Sequence, residues 1–317
     1  MKTHSPRPTK GRTTLGAGGI LPAGLFFLLA LTSAAPAAWG QNQFPEKRLF
    51  SLGRQATDVG FGDVLATSGS LLAAGSPKES ANVGTNPIIP VPAAGSVSIF
   101  NSKTGQFLRK LRAPNLGANR NFGASVALHG NLLAVGEPGF DRVYLFDASR
   151  GRLLRTIDGP VGTNFGAAVA LHGDRLAVGL PVFNAGSGEG DRVRVFETGT
   201  GNQLAELELP IVSQGFFIGP LAQEFGAAVS MSADWILVGD PGADYFESQF
   251  ATTANEVGGA AIYDAHTFQL VRIFTPLSLT EKVRFGQSVA LDGPRIFVGA
   301  PVDQPFVTSD FNNGGSV

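Results

Sequence analysis

Beyond the first forty residues, this chain's means for acid–base or metal chemistry are three imidazoles, His129, His172 and His266, and a scatter of carboxylates. Cysteine is absent from all 317 residues, which excludes a thiolate zinc site, a cysteine nucleophile and a disulfide scaffold. His129 and His172 each sit in a Leu-His-Gly turn, where corresponding stretches of the chain carry Ser68, Ser232 and Asp292. A residue copied along with a turn needs no catalytic explanation. Glycoside hydrolysis needs two acids held about 5–9.5 Å apart, and no local spacing among the 25 acidic residues singles out such a pair. The Gly-x-Ser-x-Gly nucleophile elbow, the phosphate-binding Gly-x-x-x-x-Gly-Lys-[Ser/Thr] and the zinc motif His-Glu-x-x-His are all missing. Gly186-Ser187-Gly188-Glu189-Gly190 is a glycine-rich spacer without the strand and helix of a nucleotide site. No catalytic residue, cofactor or metal ligand is therefore expected.

The elements that would position any site are set by an internal repeat. Phe-Gly occurs at Phe61-Gly62, Phe122-Gly123, Phe165-Gly166, Phe225-Gly226 and Phe285-Gly286. Each is followed by a Gly-x-Pro triplet beginning at Gly75, Gly136, Gly179, Gly239 and Gly299, always 14 residues after the Phe. Between the two signatures the pattern is strand, turn, strand, as in FGASVALHGNLLAVGEP, where alternation bounded by Gly and Asn predicts a hairpin. A third strand follows a spacer of variable length, at residues 95–100, 142–146, 192–196 and 259–263. A fourth follows a turn, at 107–111, 153–157, 204–209 and 270–274. Four short strands per unit predict an all-β chain built as a β-propeller over residues 41–317, in which stacked sheets bury each other's faces. Small residues after Phe-Gly (Ala124, Ala167, Ala168, Ala227, Ala228) suit crowded innermost strands, and the Phe is expected to wedge between neighbouring sheets. The fifth unit stops within its third strand at Val317, which reads as a fragment of a longer chain, while residues 47–52 resemble a fourth strand able to close a ring.

Composition agrees. Gly (42) and Pro (20) are abundant and charged residues are only 15%, which disfavours long helices, while 24 Phe supply a core. Residues 1–40 run from a basic start (Lys2, Arg7, Lys10, Arg12) through an apolar stretch, LFFLLAL, to small residues ending at Gly40. That order predicts a secretory signal peptide cleaved near Gly40. Its removal leaves 20 basic against 25 acidic residues, a net charge of −5, with no basic cluster for nucleic acid and no later segment long enough to span a bilayer.

With Phe-Gly, a fixed gap and Gly-x-Pro in five copies, the chain resembles the FG-GAP repeat family, whose repeats form the propeller of integrin α subunits and of many bacterial secreted proteins. The resemblance implies an extracellular recognition or adhesion module, at the cell surface or secreted, whose partner is a protein or polysaccharide. Integrin-type repeats often carry an Asp-x-Asp-x-Asp-Gly calcium loop between the first two strands. Here that connection is a tight turn such as His129-Gly130-Asn131, so calcium at the usual place is not expected and any binding would be weak. Asp141, Asp191, Asp240, Asp244 and Asp303, in or near the Gly-x-Pro spacers, read as solvated loop acids. The alternative is an accessory propeller of a longer secreted enzyme, a hydrolase or a quinoprotein-type oxidoreductase. FDASRGRLLRTI and FNSKTGQFLRKL look like quinoprotein strand pairs, but only Trp39 and Trp235 are present where such propellers use a Trp per blade. Binding is expected on the spacers, at residues 78–94, 182–190, 211–223 (with Phe216 and Phe217) and 243–257. Tyr245, Phe246 and Phe250 on the last are the candidate ligand-contact loop, because aromatics provide rigid apolar area.

Overall fold

The structure, a computed structural model, describes residues 60–84, 87–181, 191–209, 213–214, 217–221, 224–247, 252–254, 256–276 and 282–301. All belong to the second of two compact units, Lys47–Val317, the first being Met1–Glu46. The expected signal peptide, the strand at 47–52, the spacer 182–190, Phe216, Phe250, Asp303 and the end of the fifth repeat lie outside the described residues. Among the described residues no helix is long and apolar enough to cross a membrane.

Four repeats form four-stranded antiparallel sheets with strands in sequence order, apart from insertions. Sheet one comprises Val64–Ser68, Leu71–Ser76, Ser96–Asn101 and Phe107–Leu111. Sheet two comprises Ser125–His129, Leu132–Glu137, Arg142–Asp147 and Arg152–Asp158. Sheet three comprises Ala168–His172, Arg175–Leu180, Arg192–Glu197 and Gln203–Leu207. Sheet four comprises Ala228–Met231, Trp235–Asp240, Gly259–Asp264 and Leu270–Phe274. The fifth repeat contributes a hairpin, Ser288–Asp292 with Arg295–Gly299. First strands of consecutive sheets lie side by side.

The repeat signature has a main-chain explanation. In each copy Phe and Gly are the central residues of a four-residue turn, closed for example by Ala124 N–H donating to Asn121 O at 3.0 Å and Ala167 N–H to Asn164 O at 2.9 Å. The Gly φ values are +80, +88, +93, +93 and +94°, the third-position conformation of a type II turn, which L side chains resist. The same Gly N–H then donates to the Gly-x-Pro carbonyl of its own repeat at 2.8, 2.9, 3.1, 3.0 and 3.0 Å, closing the first hairpin and fixing the spacing. The Gly-x-Pro glycine also abuts the next repeat: a Cβ on Gly75, Gly136, Gly179 or Gly239 would strike the carbonyl oxygen of Gly123, Gly166, Gly226 or Gly286.

Alternation along the strands sends apolar side chains to both faces, so the core lies between sheets. Leu133 and Val135 meet Val97 and Ile99 of sheet one, whereas Ala134 joins the layer shared with sheet three. Phe122, Phe165, Phe225 and Phe285 each sit in the layer between their own sheet and the preceding one, as the wedge reading expects. Three of them pack on aromatics of their own third strand, Phe122 on Tyr144, Phe165 on Phe196 and Phe225 on Tyr263, with centroids 5.5–6.3 Å apart.

Two readings are corrected. Residues 211–223 and 243–257 are not separate loops: their strands Ser213–Gln214, Phe217–Leu221, Asp244–Glu247 and Thr252–Ala254 make an additional four-stranded sheet. Residues 78–94 likewise contain a hairpin, Ala81–Val83 with Ile89–Val91. The spacer acids among the described residues also depart from expectation. Asp240 and Asp191 are buried, Asp141 and Asp244 are half-buried, and Asp141, Asp240 and Asp244 accept main-chain N–H groups.

Candidate functional site

Antiparallel order sorts the connections to two ends. One end carries the hairpin turns, His129 and His172 among them. The other carries the Phe-Gly turns, the Gly-x-Pro triplets and the spacers.

At the spacer end of sheet two, Glu137-Pro138-Gly139-Phe140-Asp141 makes a single 3₁₀ turn over Pro138–Phe140. Asp141 adopts φ +51° and caps the following loop. Its Oδ2 accepts Gly162 N–H at 2.7 Å, and its Oδ1 accepts Thr163 N–H at 3.1 Å and Phe165 N–H at 3.2 Å. Ionic acceptance of three donors makes this short spacer rigid. Gly139 N–H donates to Arg120 O at 3.1 Å, and a Cβ on Gly139 would strike the main chain at Asn119 and Arg120. Asn119 and Asn121 flank Arg120 at φ +59 and +56°, a conformation Asn tolerates.

This close approach lays two guanidinium groups on one ring. Arg120 Cζ lies 3.7 Å and Arg142 Cζ 4.7 Å from the Phe140 centroid, and the ring remains 43% exposed. Arg142 is paired with Asp158, whereas Arg120 donates to Asn115 O at 3.0 Å and makes no ion pair among the described residues. Beneath them Glu137 is fully buried. Its Oε2 accepts the Tyr144 hydroxyl at 2.7 Å and its Oε1 has no hydrogen-bond partner. Burial pushes the Glu137 carboxyl above its ordinary value, against the Tyr144 hydrogen bond and the two arginines. Burial, then the bond to Glu137, raises the Tyr144 phenol to about 12. Phe140 thus lies exposed against two guanidinium groups, that of Arg142 paired with Asp158 and that of Arg120 without an ion pair among the described residues. That arrangement suits an anion carried on an extended, partly apolar ligand.

The sequence singled out neither Arg120 nor Phe140. The signal available was Asn-Arg-Asn immediately before Phe-Gly, together with Gly-Phe-Asp after the Pro. Of the residues it did single out, Tyr245 and Phe246 occupy a strand, opposite Ala254 and Ile218 respectively, and not a loop.

At the opposite end, His129 and His172 come together across sheets two and three, with ring centroids 4.7 Å apart and planes inclined by 54°. Burial first, then its His129 neighbour, lowers the His172 pKa. His266 has its Nε2 3.5 Å from Asp234 and its Nδ1 3.4 Å from Arg175, two groups whose charges also act on His172. The quinoprotein-like turn at Asp147 uses its acid locally, as does the corresponding turn of sheet four at Asp264. Asp147 accepts Ser149 Oγ and Arg150, and Asp264 accepts the N–H groups of His266 and Thr267, which lowers both carboxyl pKa values. Between sheets three and four, Glu206, Glu208, Tyr263 and Phe268 border a groove of about 300 Å³. Among the described residues no group of three or more His, Asp or Glu is placed to hold a metal ion.

No protein family model matches the chain, and no curated protein matches it. Among solved structures the chain is similar to the computationally designed Ika8 protein, at 17% identity and a TM-score of 0.45, over 74% of this chain and 67% of that one. It is also similar to the computationally designed Ika4 protein, at 14% identity and a TM-score of 0.38, over 66% of this chain and 97% of that one.

Proposed function

We propose that the repeated sheets are blades of an FG-GAP-type β-propeller, exported through the leader at residues 1–40, that acts as a non-catalytic recognition or adhesion module outside the cell. The observation that carries the reading is the exposed Phe140, with the guanidinium groups of Arg120 and Arg142 on its ring, on a spacer fixed by Asp141. A rigid aromatic with charged neighbours binds at small entropic cost. Of the two partner classes, protein and polysaccharide, this chemistry favours a polysaccharide bearing carboxylate groups.

The test is binding of the purified chain to immobilised alginate and polygalacturonate, with dextran as the uncharged comparison. The expected outcome is salt-sensitive binding to the two acidic polymers, weakened about tenfold or more by Arg120→Ala and by Phe140→Ala, each variant retaining its β-sheet circular dichroism. Equal binding to dextran, no binding at all, or affinity unmoved by both substitutions overturns the reading. Replacing Tyr245, Phe246 and Phe250 by Ala measures whether the spacer at residues 243–257 contributes; unchanged affinity removes those aromatics from the binding surface.

A further inference from the structure

Repetition accounts for a polar residue at the hairpin turn of His129 and His172, but not for its being an imidazole in two adjacent repeats. Sheet one carries Ser68 at the position of His129, so an imidazole is not required to make the turn. Yet two adjacent repeats carry imidazoles there, and the fold sets them ring to ring. Both side chains are half-buried, leaving a path for a solvated ion. Each caps a first strand whose register is fixed, His129 opposite Leu132 and His172 opposite Arg175, and those strands are neighbours. The adjoining main chain is tied as well: Gly130 N–H donates to Ser68 Oγ at 2.9 Å, and Asp174 O accepts Thr198 N–H at 2.8 Å.

Imidazole nitrogens bind zinc at about 2.0–2.1 Å. Two imidazoles on one ion at an angle of roughly 90–110° therefore have ring centroids about 4.5–5.2 Å apart, from that bond length and the size of the ring. The observed 4.7 Å falls inside that interval, and an inclination of 54° is too steep for parallel stacking. Neutral imidazole prefers the later divalent ions of the first transition row, whereas magnesium and calcium want oxygen.

We propose that His129 and His172 form a two-imidazole site for a divalent late-transition-metal ion, Zn²⁺, Ni²⁺ or Cu²⁺, which clips sheet two to sheet three with water completing its shell. The site is remote in the sheet from Phe140 and does not depend on the binding function proposed above.

The test is titration of the full, tag-free chain with the chloride salts of the three ions in a non-chelating buffer, read by calorimetry and by thermal unfolding. The expected outcome is uptake of one equivalent, with Cu²⁺ bound most tightly and a raised melting temperature. His129→Ser and His172→Ser place in each turn the residue sheet one uses there, so the fold is retained. Each should weaken binding at least tenfold, while His266→Ser leaves it unchanged. Mg²⁺ and Ca²⁺ should have no effect. Absence of uptake by the parent chain, uptake that survives both single substitutions, or uptake lost with His266→Ser overturns the proposal.

Discussion

Glu137 sits at the middle of a Gly-x-Pro triplet, fully buried, one carboxylate oxygen on the Tyr144 hydroxyl and the other unpartnered. Its raised pKa is a statement about stability. Below about pH 4.5 the carboxyl is protonated in the folded and the unfolded chain alike, and its full contribution is present. As pH rises, the unfolded chain releases its proton first, so stability is lost until the higher folded value has been passed. Glu137→Gln keeps an acceptor for Tyr144 and cannot titrate. Urea unfolding between pH 4 and 8 should show the variant gaining on the parent chain as pH rises, then holding a constant difference. A pH-independent difference would mean that Glu137 ionises in the folded state as readily as in water. Asp141 is the opposite case, a carboxylate whose work is to accept three main-chain N–H groups. Its sequence context, a spacer between Gly and Pro signals, reads as solvated because spacing along the chain does not reveal which amides a turn will aim at it.

Between neighbouring sheets the turn joining the third and fourth strands meets the fourth strand of the preceding sheet. Arg109 Nη2 donates to Ser149 O at 2.5 Å and lies against Gly151, and Arg155 donates to Gly199 O and lies against Gly201. Both glycines have positive φ, +70 and +80°. The third junction reverses the pair: Ala205 takes the register position of the arginines and Phe268, at φ +60°, takes that of the glycines, both joining the apolar layer between sheets three and four. Large-on-small has become small-on-large. Ala205→Arg alone should destabilise by about 1–3 kcal/mol through overpacking, and Phe268→Gly alone by about 2–4 kcal/mol through lost packing. Together they should cost at least about 1 kcal/mol less than the sum, measured by a double-mutant cycle in urea. Additive effects would show that the two positions do not touch. Each fourth strand also carries a bulge, and the residue it turns outward is apolar in all four sheets: Leu108, Leu154, Leu204 and Val271. Such bulges blunt an edge that would otherwise pair with another chain.

Across the whole described chain, apolar layers of similar make-up separate successive sheets, and protection should follow them. Amide exchange should be slowest at Leu133–Val135, Leu176–Val178 and Ile236–Val238, the fully buried second strands, and fastest in the fifth-repeat hairpin, whose residues are mostly exposed or half-buried. Uniform protection through that hairpin would contradict this gradient. The strands of these sheets were legible in the sequence because Phe-Gly, Gly-x-Pro and alternation are local signals repeated several times. The additional sheet was not, since it pairs Ile218 with Phe246 across an intervening hairpin of sheet four, and no local signal spans that distance. Phe140 and Arg120 were hidden for the same reason: Asn119, Asn121 and Gly139 each mark a turn, but only their packing brings the two side chains together. The glycine joint has a further consequence. Consecutive sheets meet there largely main chain to main chain, with Ser125 Oγ donating to Gly166 O as an added side-chain contact between sheets two and three, so the joint itself asks little of the side chains around it. Exchange of one repeat for another is therefore limited by the layer beside the joint, which is large-on-small at the first two junctions and small-on-large at the third.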